Sequence, residues 1–418
     1  MAVEVTRLAN GLAVATDAMP GFETTSVGVW VDAGARYESV DLNGVSHMLE
    51  HMAFKGTTTR SARAIAEQIE SVGGHLDAYT SREQTAYFAR VLKGDVPLAV
   101  DLLSDILQRS VFNDDELARE RDVVLQEIGQ VQDTPDDVIF DEFQKVAFPD
   151  QPLGRTILGP PERVATFTRD ELKGYMGEHY HGPRMVLAAA GAIDHGQLLR
   201  LAERAFADLP AGGEVVREPA RYQGGEFRGK RKLEQTHLLL GFQAPPFGDP
   251  DYYAAQVFST VLGGGMSSRL FQEVREKRGL TYSIYSFDHA FIDSGVFGVY
   301  AGSGASQVKD VVDVTCEQIL SVCNGITEEE AARARAQHKA GIMMALESSG
   351  ARCEYLGRQM LIYGHPVPTA EVVAHIDAVD AAAVARVGRR IIASPMVLAG
   401  LGPLKHLVSY DRIASRFA

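Results

Sequence analysis

The feature that most constrains this chain is a repeat in the order of its expected elements, on either side of one break in composition. The break is Leu209–Tyr222, which carries Pro210, Gly212, Gly213 and Pro219 and few apolar residues, as an interdomain linker does. Before it, Glu4–Leu8 and Leu12–Thr16 flank Asn10-Gly11, a two-residue hairpin signal, and Thr25–Ala33 alternates like a half-buried strand. A helix opens near Asn43, and another at Ala62–Val72 stops at Gly73-Gly74. A hairpin over His75–Val91, helices at Asp95–Gln108 and Asn113–Val131, a strand at Arg184–Ala192 and a helix at His195–Phe206 follow. After the break come a strand (His237–Phe242), helices (Asp251–Leu262, Ser267–Arg275), a hairpin (Gly279–Phe287, Gly295–Ala301) and a long helix (Val308–Val322). A helical hairpin at Glu328–Ile362 and a strand at Met396–Leu401 complete it. Both halves therefore run strand, helix, helix, hairpin, long helix. The sequence predicts an α+β fold of two similar domains, each an antiparallel sheet with helices on one face. The expected limits are 1–208, a linker at 209–222, and 223–418. At 418 residues one core is not enough, which agrees with two domains.

The chemistry lies in His47-Met48-Leu49-Glu50-His51. On a helix, residues four apart share a face, so both imidazoles can reach one ion. Glu50 then projects beside that ion. Zinc hydrolysis needs this set: neutral nitrogen donors, an open position for water, and a carboxylate to take its proton. A third protein ligand is also expected. The helix Asn113–Val131 offers Glu120 and Glu127, seven apart on one face; one can bind metal while the other orients a ligand.

Gly44–Arg60 resembles the signature of the inverted-zincin peptidases of the pitrilysin family, in its processing-peptidase beta-subunit branch with the single-chain bacterial relatives. Further blocks carry the resemblance: Gly73–Val91, Glu120–Glu127, Pro152–Gly159 and Gly263–Tyr282. It implies the duplicated processing-peptidase fold, with one Zn2+ per chain held by His47, His51 and Glu127 and with Glu50 as general base. Seventy-five residues separate His51 from Glu127, the spacing of that branch. Glu120 becomes the assisting carboxylate. Zinc is expected on the first domain, and the second is expected to close over the substrate. Arg275 and Tyr282 fall where the family places a pair that grips the substrate and stabilises the tetrahedral intermediate; both are donors suited to an oxyanion. Asp77-Ala78-Tyr79-Thr80 would be the strand edge on which an extended peptide pairs.

Asp137 and Asp141, within an acidic stretch from Asp133 to Glu142 lacking Lys and Arg, match positions that read arginine near the scissile bond. Phe54 matches an aromatic residue lining the pocket just beyond it. The expected substrate is thus an oligopeptide or unstructured segment, presequence-like and Arg-containing, cut by an endopeptidase in an enclosed chamber.

A formal net charge of −14 argues against nucleic acid and anionic membrane partners. No stretch is long and apolar enough to span a bilayer, and the N-terminal residues lack the pattern of a signal or transit peptide. Three cysteines, Cys316, Cys323 and Cys353, form neither an even framework nor a metal spacing. The expectation is a cytoplasmic enzyme. Gly263-Gly264-Gly265 lacks the Gly-Lys-Ser/Thr of a phosphate loop, and His179 and His181 lack carboxylate support. A homodimer is the expected assembly, with two alternatives: an active half paired with an inactive homologue, or a scaffold without catalysis.

Overall fold

The computed structural model describes residues 3–213 and 215–418. Met1 and Ala2, in the expected first domain, and Glu214, in the expected linker, lie outside the described residues. The chain forms two compact units, each with one mixed sheet. The first comprises Met1–Gly129, Arg155–Glu218 and Met343–Val367; the second comprises Gln130–Gly154, Pro219–Ile342 and Pro368–Ala418. The expected linker does hold one crossing, at Glu218/Pro219. The units are nevertheless discontinuous, because each takes a segment from the other half of the sequence.

In the first unit the strands are β1 (Glu4–Arg7), β2 (Ala13–Ala18), β3 (Thr24–Val31), β4 (His75–Thr80), β5 (Thr85–Leu92) and β6 (Met185–Gly191). Their order is β1-β2-β6-β3-β5-β4, antiparallel except for β2 with β6. Gly11 takes φ 91° in the turn after β1, a left-handed conformation that glycine adopts without steric cost. The helices are α1 (Val45–Ala53), α2 (Ala62–Ser71), α3 (Val96–Gln108), α4 (Asp114–Asp133), α5 (Pro135–Ala147), α6 (Pro161–Val164), α7 (Arg169–His179) and α8 (His195–Ala205); of these α5 belongs to the second unit.

The second sheet has the order β7-β11-β8-β10-β9, from β7 (Gly225–Lys230), β8 (Gln235–Gln243), β9 (Thr281–Ala290), β10 (Gly295–Gly304) and β11 (Val397–Gly402), with β7 and β11 parallel. The later part of the chain carries α9 (Tyr252–Gly263), α10 (Val308–Asn324), α11 (Glu328–Ala345), α12 (Ser349–Tyr363), α13 (Thr369–Asp377), α14 (Ala381–Ile392) and α15 (Tyr410–Ala414); of these α12 belongs to the first unit. The expected helix at Ser267–Arg275 is present but short, starting at Arg269 and winding as a π-helix over Phe271–Glu276. No helix among the described residues is long and apolar enough to cross a membrane. All three cysteines are buried and free.

The exchanged segments explain a burial pattern that a sheet with helices on one face would not have. One face of the first sheet packs Val27, Val29, Tyr87 and Leu187 against α1 and α3. The other presents Trp30, Ala86, Val186 and Ala188, and α12 covers it with Cys353, Leu356 and Met360. β6 is consequently buried along its whole length, as a strand covered on both faces must be. In the second unit, α5 plays the same part: Val138, Ile139 and Phe143 cover Leu239, Tyr300 and Ala399.

The contact between α12 and its sheet is close. A Cβ added at Gly357 would fall 2.3–2.8 Å from atoms of the Trp30 indole, so the buried ring would have to shift. Gly357→Ala gains about 1 kcal/mol of helix propensity but forces overpacking worth about 1–3 kcal/mol. A net loss of stability is expected, read as a lower denaturant midpoint accompanied by a shift in Trp30 emission.

Candidate metal centre

The start of α1 is fixed by a buried acid. Gly44, at φ 98°, precedes the helix without a side-chain cap. The Glu38 carboxylate substitutes, accepting from Gly44 N at 2.8 Å, Ser46 N at 2.8 Å and Asn43 Nδ2 at 2.9 Å. It thereby occupies the positive end of the helix and satisfies its free donors. Burial pushes the Glu38 carboxyl up, against those hydrogen bonds. The other face of α1 is anchored by Met48, Leu49 and Met52 in the core. What remains turns His47, Glu50 and His51 the same way.

Opposite them runs α4, which buries Leu117, Val124 and Ile128 and brings Glu120 and Glu127 to α1. His47 Nε2 and His51 Nε2 lie 3.6 and 3.5 Å from the same oxygen, Glu127 Oε2. These separations are long for hydrogen bonds. Two ligands about 2.0–2.1 Å from one zinc at a tetrahedral angle stand roughly 3.4 Å apart, so the three atoms fit a shared ion. Among the described residues these three form the one group of His, Cys, Asp and Glu arranged to hold a metal, with donors within 4.8 Å of one another. Burial, then the neighbouring His51, lowers the His47 pKa to about 4, so it stays neutral with a lone pair free for metal.

Glu120 does what an orienting carboxylate does. Its Oε2 lies 3.0 Å from His51 Nδ1, which assigns the proton to Nδ1 and leaves Nε2 as donor toward the ion. Its other oxygen pairs with Lys55 Nζ at 2.6 Å. Lys55 was absent from the sequence reading. It lies just past the end of α1, beyond the Phe54 cap, where helical periodicity no longer says which way a side chain points.

Glu50 stands on the metal side of α1, and Thr80 Oγ1 donates to its Oε2 at 2.5 Å. Burial raises the Glu50 pKa, with the nearby Asp77 and Glu127 charges acting in the same direction and Thr80 and His51 opposing them. Thr80 was expected in the substrate edge; it also holds the candidate base. The rest of that edge is where β4 places it. Among the described residues β4 ends the sheet and pairs only with β5. Ala78 faces the core, whereas Asp77 accepts a hydrogen bond from Ala78 N at 2.8 Å. Tyr79 points away from Thr80, and its hydroxyl lies 3.4 Å from Glu354 Oε1. Phe54 caps α1 with its ring 6.3 Å from that of Tyr87.

The other predicted residues belong to the second unit. Arg275 places its guanidinium over the Tyr282 ring, 4.7 Å from the centroid, and Tyr282 is 78% exposed. The two donors are therefore neighbours on one surface. Asp137 and Asp141 sit one turn apart on α5, Asp137 exposed and Asp141 half-buried.

A family model described as Insulinase (Peptidase family M16) matches residues 13–161, and another, described as Peptidase M16 inactive domain, matches 166–338. A Rickettsia felis protein described as an uncharacterized zinc protease is 38% identical over 400 residues, covering 96% of this chain and 97% of its own. This chain belongs to peptidase family M16. Human mitochondrial-processing peptidase subunit beta is 40% identical over 426 residues, 98% of this chain and 86% of its own. The fold is also that of a chain in complex III2 from Candida albicans, with a TM-score of 0.87, 24% identity and 99% of each chain covered. The metal cluster lies within the M16 match at 13–161; the segment matching the M16 inactive domain contributes none of it.

Two variants separate ligand from orienter. His47→Ala is expected to abolish zinc binding. Glu120→Gln should retain it with affinity weakened about 10–100-fold, as measured by competition with a chelator.

Proposed function

We propose that this M16 peptidase is a zinc endopeptidase acting on extended, Arg-containing oligopeptides or unstructured segments. The observation that carries the reading is the joint aim of His47, His51 and Glu127, with Glu50 held beside them by Thr80. Zinc, when bound, supplies Lewis acidity that activates water near neutral pH. Glu50 takes the proton from the attacking water, and its burial keeps it a stronger base than a solvated carboxylate. Thr80 restricts the Glu50 carboxylate to one orientation. Glu120 fixes the tautomer of His51, and Lys55 offsets the charge of Glu120.

The free edge of β4, Asp77 to Thr80, suits a peptide that adds as a further strand. Arg275 and Tyr282 are assigned as donors to the oxyanion of the substrate, supported by their pairing and the exposure of Tyr282. Asp137 and Asp141 are assigned to a substrate guanidinium, and Phe54 to the apolar side chain following the cut bond. The second unit, Gln130–Gly154 with Pro219–Ile342 and Pro368–Ala418, is assigned the role of closing over the peptide in an enclosed chamber. We place the enzyme in the cytoplasm as a homodimer. A second assembly, an active subunit with a different partner, is favoured by one observation: the mammalian relatives are named as beta subunits. A scaffold without catalysis is disfavoured, because His47, His51 and Glu127 form a group that could hold a metal and Glu50 stands beside it.

Glu50→Gln is expected to bind one zinc per chain and to lose about 10²–10⁴-fold in kcat. Undiminished turnover would remove the assigned base. A peptide with Arg before the cut bond should be cleaved faster than its Gln analogue, and Asp137→Asn should narrow that difference. Equal rates for the two peptides would remove the Arg preference while leaving the metal chemistry intact.

A further inference from the structure

Successive residues of a strand point to opposite faces, and β4 divides two sites in this way. Thr80 turns to Glu50 and the metal centre. Tyr79 turns to the other face, where α12 packs along β2, β6 and β3 and a cavity of about 660 Å³ opens beside it over β4 and β5. That volume is in the range of small-molecule sites. Its wall is aromatic, formed by Trp30, Tyr79 and Phe88, with Leu92 more than half exposed at its margin. Trp30 is buried there, with its indole beside the Tyr79 hydroxyl.

The rim is polarised. His75 and Arg90 face each other across β4 and β5 in direct register, and both are exposed. The Arg90 guanidinium forms no ion pair or hydrogen bond among the described residues. The opposite wall carries Glu354, whose carboxylate already lies 3.4 Å from the Tyr79 hydroxyl and 3.9 Å from Arg358. One side thus offers an unused guanidinium beside an imidazole, and the floor offers apolar surface that water solvates poorly.

We propose that this cavity binds an apolar chain ending in a carboxylate, the chain against Trp30 and Phe88 and the carboxylate on Arg90 with His75. A guanidinium and a carboxylate form a charge-assisted pair, and the aromatic floor takes the hydrocarbon. Two sources share this chemistry: a free fatty acid, and the C-terminus of a peptide ending in an apolar residue. The site is on the sheet face away from the metal and needs neither zinc nor turnover.

Trp30 is the single tryptophan of the chain, so its emission reports the cavity directly. The full chain is titrated with decanoate, with 1-decanol, and with acetyl-Ala-Ala-Leu-Phe as free acid and as amide. A saturable change is expected with at least one of the two acids, and a response at least about tenfold weaker in concentration for decanol or the amide. Arg90→Gln should weaken the acids about tenfold and leave decanol unchanged, with peptidase activity retained. Gly350→Leu, where a Cβ meets only Ser348 Oγ at 3.5 Å and Ser26 Oγ at 3.8 Å, should fill the cavity and remove the response. Decanoate alone identifies the fatty-acid source, the peptide acid alone identifies the peptide source, and both together a site open to either. No saturable change with either acid, or acids indifferent to Arg90→Gln, overturns the proposal.

Discussion

The centre depends on one hydrogen bond between two helices distant in sequence, from His51 Nδ1 on α1 to Glu120 on α4. It does two things together. It sets the tautomer of one candidate ligand, and it joins α1 to the face of α4 on which Glu127 approaches His47 and His51. Seven residues are nearly two helical turns, so an orienter and a ligand spaced in this way share a face. Glu120 is buried, and in that setting its carboxylate requires the donors it has, His51 and Lys55.

The remaining supports serve the same geometry. Glu38 ends α1 from below with three hydrogen bonds, and Thr80 reaches Glu50 from the adjoining sheet edge. The candidate base, Glu50, is therefore held by β4, the strand proposed to pair with the peptide. A peptide pairing there would meet a base already oriented, which is what preorganisation requires. The alternation of the same strand sends Tyr79 to a separate cavity.

The metal motif, the order of elements and most strands were legible in the sequence, because each rests on short-range periodicity. His47, Glu50 and His51 lie within one helical turn, and the β4–β5 hairpin is set by local alternation. The α+β architecture of two similar halves followed from the same signals. The exchange of α5 and α12 between units was not legible. It depends on which second sheet face each helix covers, and an amphipathic helix does not encode that partner. The apolar side of α5, with Val138, Ile139 and Phe143, reads the same against either sheet. Glu38 escaped notice for a related reason: it caps α1 from seven residues before the helix starts, beyond the usual capping position. The parallel pairs β2–β6 and β7–β11 join segments distant in sequence, which no local pattern marks.

The most direct measurement is anomalous diffraction from a crystal grown with zinc, with data collected on both sides of the zinc absorption edge. The account predicts one peak per chain, bonded to His47 Nε2, His51 Nε2 and a Glu127 carboxylate oxygen, with Glu120 still on His51 Nδ1. A peak elsewhere, or none at this place in crystals that carry zinc, would contradict it.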